Sequence, residues 1–301
     1  MKVIYGLNRI KKYNKPVVAL GVFDGLHKAH RRILKETVKF ARKIKGTSIA
    51  LTFWPHPQRQ ESLYSLEHRL RLIREIGIDI CIVINFNKRF SKISAEGFVR
   101  NILVKKIGVH YLYVGRNFRF GKKAKGNFST LNKLSHPYRF KVKIFDVIKI
   151  KHRPISSTYI RRLITQGDLD AAKRLLNRPV SVYGEVIKGI SLAKRMGFPT
   201  ANIDPHHEIL PPSGVYAVRV TLNNKKFQGT CYIGKKPTFL RQKAASVEVY
   251  IFNFNKNIYG KNLEIHFLTK IRKEKKFKSA QLLAEQIRKD INSAKREFSR
   301  H

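Results

Sequence analysis

The sequence is poor in cysteine and has no long apolar run. Cys81 and Cys231 stand far apart in apolar, strand-like segments, which excludes a disulfide framework and a cysteine-based zinc site. No stretch approaches the roughly 18 apolar residues needed to cross a bilayer. The N-terminal region lacks the apolar core of a signal peptide, since Val17–Phe23 is short and is followed by Asp24. We therefore expect a cytoplasmic protein that has no membrane partner.

Acidic residues are also scarce, and this leaves a large surplus of positive charge. The 301 residues include 63 Lys and Arg against 19 Asp and Glu, a formal net charge of +44 at pH 7. Such a surplus attracts nucleic acids, anionic membranes and phosphorylated substrates alike. The basic residues are spread along the whole chain, without a basic arm or an arginine-rich tract interleaved with aromatics. We expect no dedicated nucleic-acid partner.

The first part of the chain alternates short β-branched runs with amphipathic helical stretches. This alternation predicts a parallel sheet with flanking helices and an active site at the carboxyl ends of its strands. The predicted strands are Val17–Val22, Thr47–Phe53, Ile78–Ile84, Tyr111–Gly115 and Lys141–Val147, with helices at 29–44, 66–76 and 95–106. The length predicts two domains, each large enough for its own core.

The second part has closely spaced short strands with Gly, Pro and Asn between them, which predicts a small antiparallel β-barrel. A helix from Ser157 to Leu176 precedes it, and we place the boundary between domains 1–180 and 181–301. The predicted strands are Val182–Ile187, Val215–Leu222, Lys226–Ile233, Val247–Phe254 and Leu263–Phe267, with a tight turn at Asn223-Asn224. A C-terminal helix at Ser279–Phe298 has one apolar stripe, which we expect to pack on the barrel.

The most informative segment joins the first predicted strand to a helix and reads G-V-F-D-G-L-H-K-A-H over residues 21–30. Unpaired N–H groups and the helix dipole at such a turn attract anions. His27 and His30 are three residues apart and so share a helix face, where two imidazoles can stabilise charge on a nucleoside triphosphate. Asp24 is expected to order the turn. The alternative is that the histidines only cap or fill a loop.

Three further segments end a predicted strand or open a predicted helix with polar residues. T-F-W-P-H-P at 52–57 holds His56 between prolines, and G-R-N-F-R-F-G at 115–121 places Asn117 beside aromatics. I-S-S-T-Y-I-R at 155–161 opens a helix with three hydroxyls and Arg161 one turn later, a composition that favours an anion. Each alone also fits a rigid turn or an N-cap. Their joint presence favours a nucleotide site.

In this order, these motifs resemble the adenylyltransferase module of the bacterial bifunctional riboflavin kinase/FAD synthetase family. The resemblance implies a Rossmann-like nucleotidyltransferase domain in which the FMN phosphate attacks the α-phosphorus of ATP, with Mg²⁺, yielding FAD and pyrophosphate. No covalent nucleophile is needed, so catalysis is positioning and charge stabilisation. The resemblance assigns catalytic roles to His27, His30 and Arg161, and nucleotide or substrate contacts to Gly21, Phe23, Asp24, Gly25, His56, Asn117, Ser156, Ser157 and Thr158.

A later segment, M-G-F-P-T-A-N-I at 196–203, resembles the riboflavin kinase motif of the same family. The resemblance implies that Thr200 and Asn202 hold Mg²⁺ and nucleotide phosphate through oxygen contacts, with Gly197 and Pro199 contacting the nucleotide. Glu248, in V-E-V-Y, aligns with the catalytic base that takes the proton of the riboflavin 5′-hydroxyl. Without the resemblance, the segment at 196–203 is a turn and Glu248 is an outward-facing residue of a strand.

The chain departs from the family pattern in its nucleotide loops. Ala29 replaces a common glycine, the tract at 121–126 has Ala124 near the place of an arginine, and 189–195 is less rich in glycine. Tyr250 stands where histidine is common. The sequence predicts a bifunctional enzyme with riboflavin, FMN and ATP as substrates. The alternatives are an FAD synthetase with an impaired kinase half, or a basic RNA-binding protein on a nucleotidyltransferase-like scaffold.

Overall fold

The computed structural model describes residues 1–57, 62–150, 153–189, 196–206, 208–235 and 245–299. Contacts between Cα atoms divide the chain into two compact units. The first is Met1–Ser62 with Leu66–Ser157, and the second is Leu63–Ser65 with Thr158–His301. The helical stretch before residue 180 therefore groups with the second unit, while the limits of the two functional domains stay a prediction.

The first unit is built on a six-stranded parallel sheet of order β1-β4-β3-β2-β5-β6. Its strands are β1 (Lys2–Tyr5), β2 (Val17–Leu20), β3 (Ser48–Trp54), β4 (Ile80–Asn85), β5 (Tyr111–Gly115) and β6 (Lys141–Phe145). The inner strands β2 to β4 are almost wholly buried, as expected when both faces of a parallel sheet are covered. The predicted parallel sheet is confirmed, although β1, an edge strand with one buried residue, was not predicted.

Helices cover the sheet, and those before residue 110 match the predicted ones closely. They are α1 (Lys28–Lys43), α2 (Leu66–Ile76), α3 (Ala95–Phe98), which continues as a π-helix over Val99–Ile107, and α4 (Phe128–Ser135). The short α4 was not predicted. It begins at a reciprocal cap in which the Asn127 side chain accepts from the Thr130 N–H and Thr130 accepts from the Asn127 N–H. A two-stranded antiparallel sheet, β7 (Lys149–Ile150) with β8 (Arg153–Pro154), follows β6 in the chain.

Two helices, α5 (Ser157–Gln166) and α6 (Leu169–Leu176), stand where the sequence predicted one, and from Thr158 onward they belong to the second unit. The single helix is wrong because Gly167 adopts a φ of +83° and ends α5. Asp168 then caps α6, since its side chain accepts a 2.9 Å hydrogen bond from the Ala171 N–H.

A closed antiparallel barrel of order β10-β13-β12-β11-β14-β9 follows, as predicted. Its strands are β9 (Ser181–Ile187), β10 (Thr200–Asp204), β11 (Gly214–Leu222), β12 (Lys225–Lys235), β13 (Ala245–Ile251) and β14 (Asn262–Lys273). The predicted turn between β11 and β12 is confirmed, with φ of +48° at Asn223 and +65° at Asn224. The strand β10 was missed because only Ile203 in it is buried.

The C-terminal helix α7 (Ala280–Ser299) packs on the barrel, as predicted. Ala294 is fully buried against Ala217 and Phe252. Asp290, 4% exposed, accepts from Arg272 of β14 at 2.9 Å to Oδ1 and 2.8 Å to Oδ2. This bidentate ion pair holds α7 on the outside of the barrel.

Replacing Asp290 by alanine is expected to destabilise the second unit by about 3 kcal/mol, because the Arg272 guanidinium then stays half-buried without its carboxylate. Far-UV circular dichroism should show the corresponding transition fall by about 6 to 12 °C. The only tryptophan, Trp54, lies in β3 of the first unit, so its fluorescence should report an unchanged transition. An equal fall in both signals would contradict this local role.

Candidate active sites

The strands β3, β2 and β5 are neighbours in the parallel sheet, so their carboxyl ends meet at one edge. The segments that leave these ends carry His56 after β3, the turn to His27 after β2, and Asn117 after β5. Asn117 is exposed and His56 is half-buried. The topology therefore brings three of the predicted segments to the same edge.

The two histidines of the turn stack on each other at the N-terminus of α1. Their ring centroids are 3.7 Å apart and the ring planes differ by 18°. His27 is the N-cap residue, its side chain makes no capping hydrogen bond, and the first turn of α1 contains no acidic residue. The expected common face is confirmed, and a helix N-terminus with two imidazoles suits an anion.

The turn before the histidines uses left-handed backbone at bulky residues. Phe23 has φ +54° and Leu26 has φ +39°, and both are fully buried. A non-glycine residue in this region costs on the order of 1 to 3 kcal/mol and persists only where surrounding packing enforces it. A Cβ at Gly21 would meet the Phe23 ring at 3.0 Å. Phe23 in turn presents its ring to His30 at 5.5 Å, edge to face.

Hydrogen bonds hold this turn in place. The Ser157 hydroxyl donates to the Asp24 carbonyl oxygen at 2.8 Å. The Val22 carbonyl oxygen accepts from Thr52 Oγ1 at 2.8 Å and from Arg69 Nη1 at 2.9 Å. The backbone that carries the histidines is therefore tied to β3, α2 and the residue that opens α5.

Burial lowers the pKa of His30 well below 6.5, and the charges of His27 and Arg69 lower it further, against a hydrogen bond to the Asp24 backbone. His30 is therefore neutral at pH 7. It presents one N–H donor and one acceptor nitrogen rather than a fixed charge. A bound phosphate would add negative charge at this place and favour protonation.

Arg69 was not predicted as part of the site, although it lies fully buried at this edge. Its guanidinium lies 4.8 Å from the Trp54 ring centroid, a cation–π contact. It supplies positive charge behind the turn. The sequence did carry a signal, because Arg69 falls on the apolar stripe of α2 between Leu66 and Ile73.

The other predicted residues of this module are placed as follows. Ser156 is exposed at the end of the first unit, and Thr158 and Arg161 belong to α5 in the second unit. Ala29 lies in the first turn of α1. In the tract with the missing arginine, Lys123 and Ala124 both adopt left-handed backbone, with φ of +55° and +56°.

In the barrel, the predicted kinase residues lie side by side on neighbouring strands. Asn202 of β10 pairs directly with Glu248 of β13, and Thr200 pairs with Tyr250. Directly opposed residues and residues two apart on a strand share one face. Val247 and Val249, which alternate with Glu248, are buried in the barrel. Thr200, Asn202 and Glu248 therefore lie together on the outer face of the barrel wall.

The oxygen atoms of this cluster fit a hard cation. Thr200 Oγ1 is buried and has no hydrogen-bond partner among the residues that the structure describes. The Asn202 amide lies against the backbone of Gly189, where a Cβ would overlap it. Hydroxyl and amide oxygens, completed by substrate phosphates, suit Mg²⁺. Across the described ranges, no group of three or more His, Cys, Asp or Glu side chains is placed to hold a metal ion.

A cavity of about 300 Å³ lies beside Thr200, and neither Asn202 nor Glu248 is part of its lining. Pro199, Thr200 and the barrel residues Val249 and Ile251 form one part of its lining, and the segment at 254–259 forms another. Mixed apolar and amide lining of this kind suits a planar heterocycle. Gly197, whose φ of +85° favours glycine, lies two residues before Pro199.

Tyr250, in the place of the common histidine, contacts aromatic rings on both sides. Its ring centroid lies 5.9 Å from that of Phe198 and 5.8 Å from that of Phe252. The segment at 189–195, which is less rich in glycine than the family pattern, lies outside the described residues except for Gly189. The segment at 236–244 also lies outside them.

The chain matches two protein-family models in succession. The model described as FAD synthetase matches residues 9–159, and the model described as riboflavin kinase matches residues 176–298. A bifunctional riboflavin kinase/FMN adenylyltransferase from Buchnera aphidicola of Schizaphis graminum is 38% identical over 99% of both chains. The chain belongs to the bifunctional riboflavin kinase/FMN adenylyltransferase family.

A second relative and one solved structure are also similar to this chain over most of its length. The protein of that name from Bacillus subtilis is 34% identical over 95% of this chain and 93% of its own length. A solved structure from Streptococcus pneumoniae, described as a macrolide-efflux protein, has a TM-score of 0.81 and 28% identity over 96% of this chain and 97% of its own.

In the part of the chain that the structure describes, no helix is both long and apolar enough to span a membrane.

Proposed function

We propose that this chain makes FMN from riboflavin and then FAD from FMN, each step using ATP. The observation that carries this proposal is the succession of the two family regions, each of which contains its own cluster of chemically suitable side chains. The first region contains the histidine pair at the N-terminus of α1, and the second contains Thr200, Asn202 and Glu248 on the barrel wall.

In the FAD-forming step, an oxygen of the FMN phosphate attacks the α-phosphorus of ATP and pyrophosphate leaves. His27 and His30 lie where the N-terminal N–H groups of α1 favour phosphate, and they donate hydrogen bonds to oxygens that gain charge in the transition state. His56 and Asn117 follow neighbouring strands at the same edge of the sheet and would hold the substrates. For Arg161 and the hydroxyls at 156–158, the support is the match of motif positions.

In the FMN-forming step, the riboflavin 5′-hydroxyl oxygen attacks the γ-phosphorus of ATP and ADP leaves. Glu248 accepts the proton of that hydroxyl as a general base. Thr200 and Asn202, which share the face of Glu248, bind the phosphate end of ATP. The cavity beside Thr200 would then receive the adenine ring.

Both steps are proposed to need Mg²⁺. In the barrel, the Thr200 and Asn202 oxygens would hold the ion together with the nucleotide phosphates. When bound, the ion neutralises charge that builds up on the phosphates.

The purified chain with riboflavin, ATP and Mg²⁺ is therefore expected to form FMN first and FAD later, separated by chromatography. EDTA should stop both reactions and excess Mg²⁺ should restore them. If the chain formed FAD from supplied FMN but no FMN from riboflavin, the proposed kinase activity would be overturned. Salt-sensitive RNA binding with neither flavin product would overturn the whole proposal.

A further inference from the structure

A second hydroxyl residue lies beside Glu248 on the barrel wall. Ser246 precedes Glu248 by two residues on β13 and so shares its face. The Ser246 hydroxyl donates a hydrogen bond to Glu248 Oε1 at 3.1 Å, and Ser246 is only 8% exposed. The residue opposite Ser246 on β12 is Gly234, which has no side chain to compete for this hydrogen bond.

The β12 residue opposite Glu248 is Tyr232, and its hydroxyl does not bind the Glu248 carboxylate. The Tyr232 hydroxyl instead donates to Glu274 at 2.6 Å. The Tyr232 ring crosses Gly234, where a Cβ would overlap the phenolic oxygen. Among the described side chains, Ser246 is thus the one that donates to the Glu248 carboxylate.

We propose that Ser246 is the positioning residue of the kinase base, holding Glu248 Oε1 so that Oε2 is directed to the riboflavin 5′-hydroxyl. This inference rests on the proposed kinase function. A general base must lie within about 2.6 to 3.2 Å of the oxygen whose proton it takes. A misplacement of about 1 Å costs on the order of 100-fold in rate. One hydrogen bond to one carboxylate oxygen limits the rotation that would cause such a misplacement.

The test compares Ser246→Ala with Ser246→Thr in steady-state riboflavin phosphorylation. Ser246→Ala is expected to lower kcat about tenfold, the scale of one hydrogen bond to a charged group. KM for riboflavin and for MgATP should stay within about twofold, since substrate binding is untouched. Ser246→Thr keeps the hydroxyl and should restore kcat to within about threefold of the wild type.

Two controls separate positioning from general damage to the barrel. Thr221→Val removes another buried hydroxyl, one that contacts His266 at 3.2 Å, and should leave kcat within about twofold. In single-turnover reactions, adding Ser246→Ala to Glu248→Gln should cause no further loss, because the two residues act as one unit. FAD formation from FMN should be unchanged in every variant.

Three results would overturn the positioning role and leave the kinase function standing. The first is a wild-type kcat in Ser246→Ala, and the second is a rise in KM with no change in kcat. The third is that Ser246→Ala lowers the rate as much in the Glu248→Gln variant as in the wild type. A wild-type chain that forms no FMN from riboflavin would overturn the proposed function, and the role of Ser246 with it.

Discussion

Replacing Glu248 by glutamine is expected to lower kcat for riboflavin phosphorylation by about 10²- to 10⁴-fold, the usual contribution of a general base. Glutamine has nearly the same shape as glutamate but cannot accept the 5′-hydroxyl proton. Its side chain can still take part in the hydrogen bond with Ser246, so the barrel should remain folded. The measurement is the initial rate of FMN formation at saturating riboflavin and MgATP.

The matched control is Glu185→Gln on β9, which makes the same chemical change at an exposed position of the same barrel, on a strand that does not pair with β13. We expect it to leave both activities within about twofold of the wild type. FAD formation from supplied FMN should survive Glu248→Gln. If both activities vanish while circular dichroism shows an intact fold, the assignment of separate sites is wrong.

Replacing His30 by alanine is expected to lower FAD formation from FMN by about 10²- to 10³-fold, as when one preorganised donor to a developing oxyanion is removed. His30→Asn should lose only about tenfold, because burial keeps His30 neutral at pH 7 and asparagine also presents a neutral N–H donor. Riboflavin phosphorylation is the control and should stay unchanged in both variants. Equal losses in the two variants would contradict a neutral-donor role.

The depressed pKa of His30 also predicts how the stability of the first unit depends on pH. The unfolded chain binds a proton near pH 6.5, whereas folded His30 binds it only at lower pH. Between these two values the unfolded state holds more protons, so the free energy of unfolding decreases as pH falls below about 6.5. Urea unfolding followed by Trp54 fluorescence should show a smaller decrease in His30→Asn. If the free energy of unfolding depended on pH in the same way in both proteins, the pKa of His30 would not be lowered by folding.

Motifs of a few residues could predict much of the candidate sites because local geometry follows from sequence spacing. The spacing of His27 and His30 places them on one helix face, and their rings do stack. In the same way, Thr200 and Asn202 are two residues apart on a strand and share a face. These relations need no information from distant parts of the chain.

Residues that long-range contacts bring to a site were harder to predict. Arg69 reaches the Val22 carbonyl oxygen from a helix 47 positions later, and nothing in its immediate neighbours indicates that partner. The hydrogen bond from Ser246 to Glu248 depends on which face of β13 lies outside the barrel. It also depends on the glycine across the strand, which only the register of β12 reveals.

Some errors in the elements also have physical causes. The break between α5 and α6 depends on Gly167 in left-handed backbone, and a single glycine inside a helical segment does not by itself mark the end of a helix in the sequence. The edge strand β1 and the short β10 bury few residues. Their strand conformation comes from pairing with neighbours rather than from a pattern of their own.

The sequence by itself determined the two architectures, the order of most elements and the motifs of both sites, because hydrophobic periodicity and short-range spacing act within single elements. Only the tertiary structure decided which strands are neighbours, which carboxyl ends meet and which side chains support the candidate catalytic groups. Those relations arise from sheet order and strand register, which depend on packing between residues far apart in the chain.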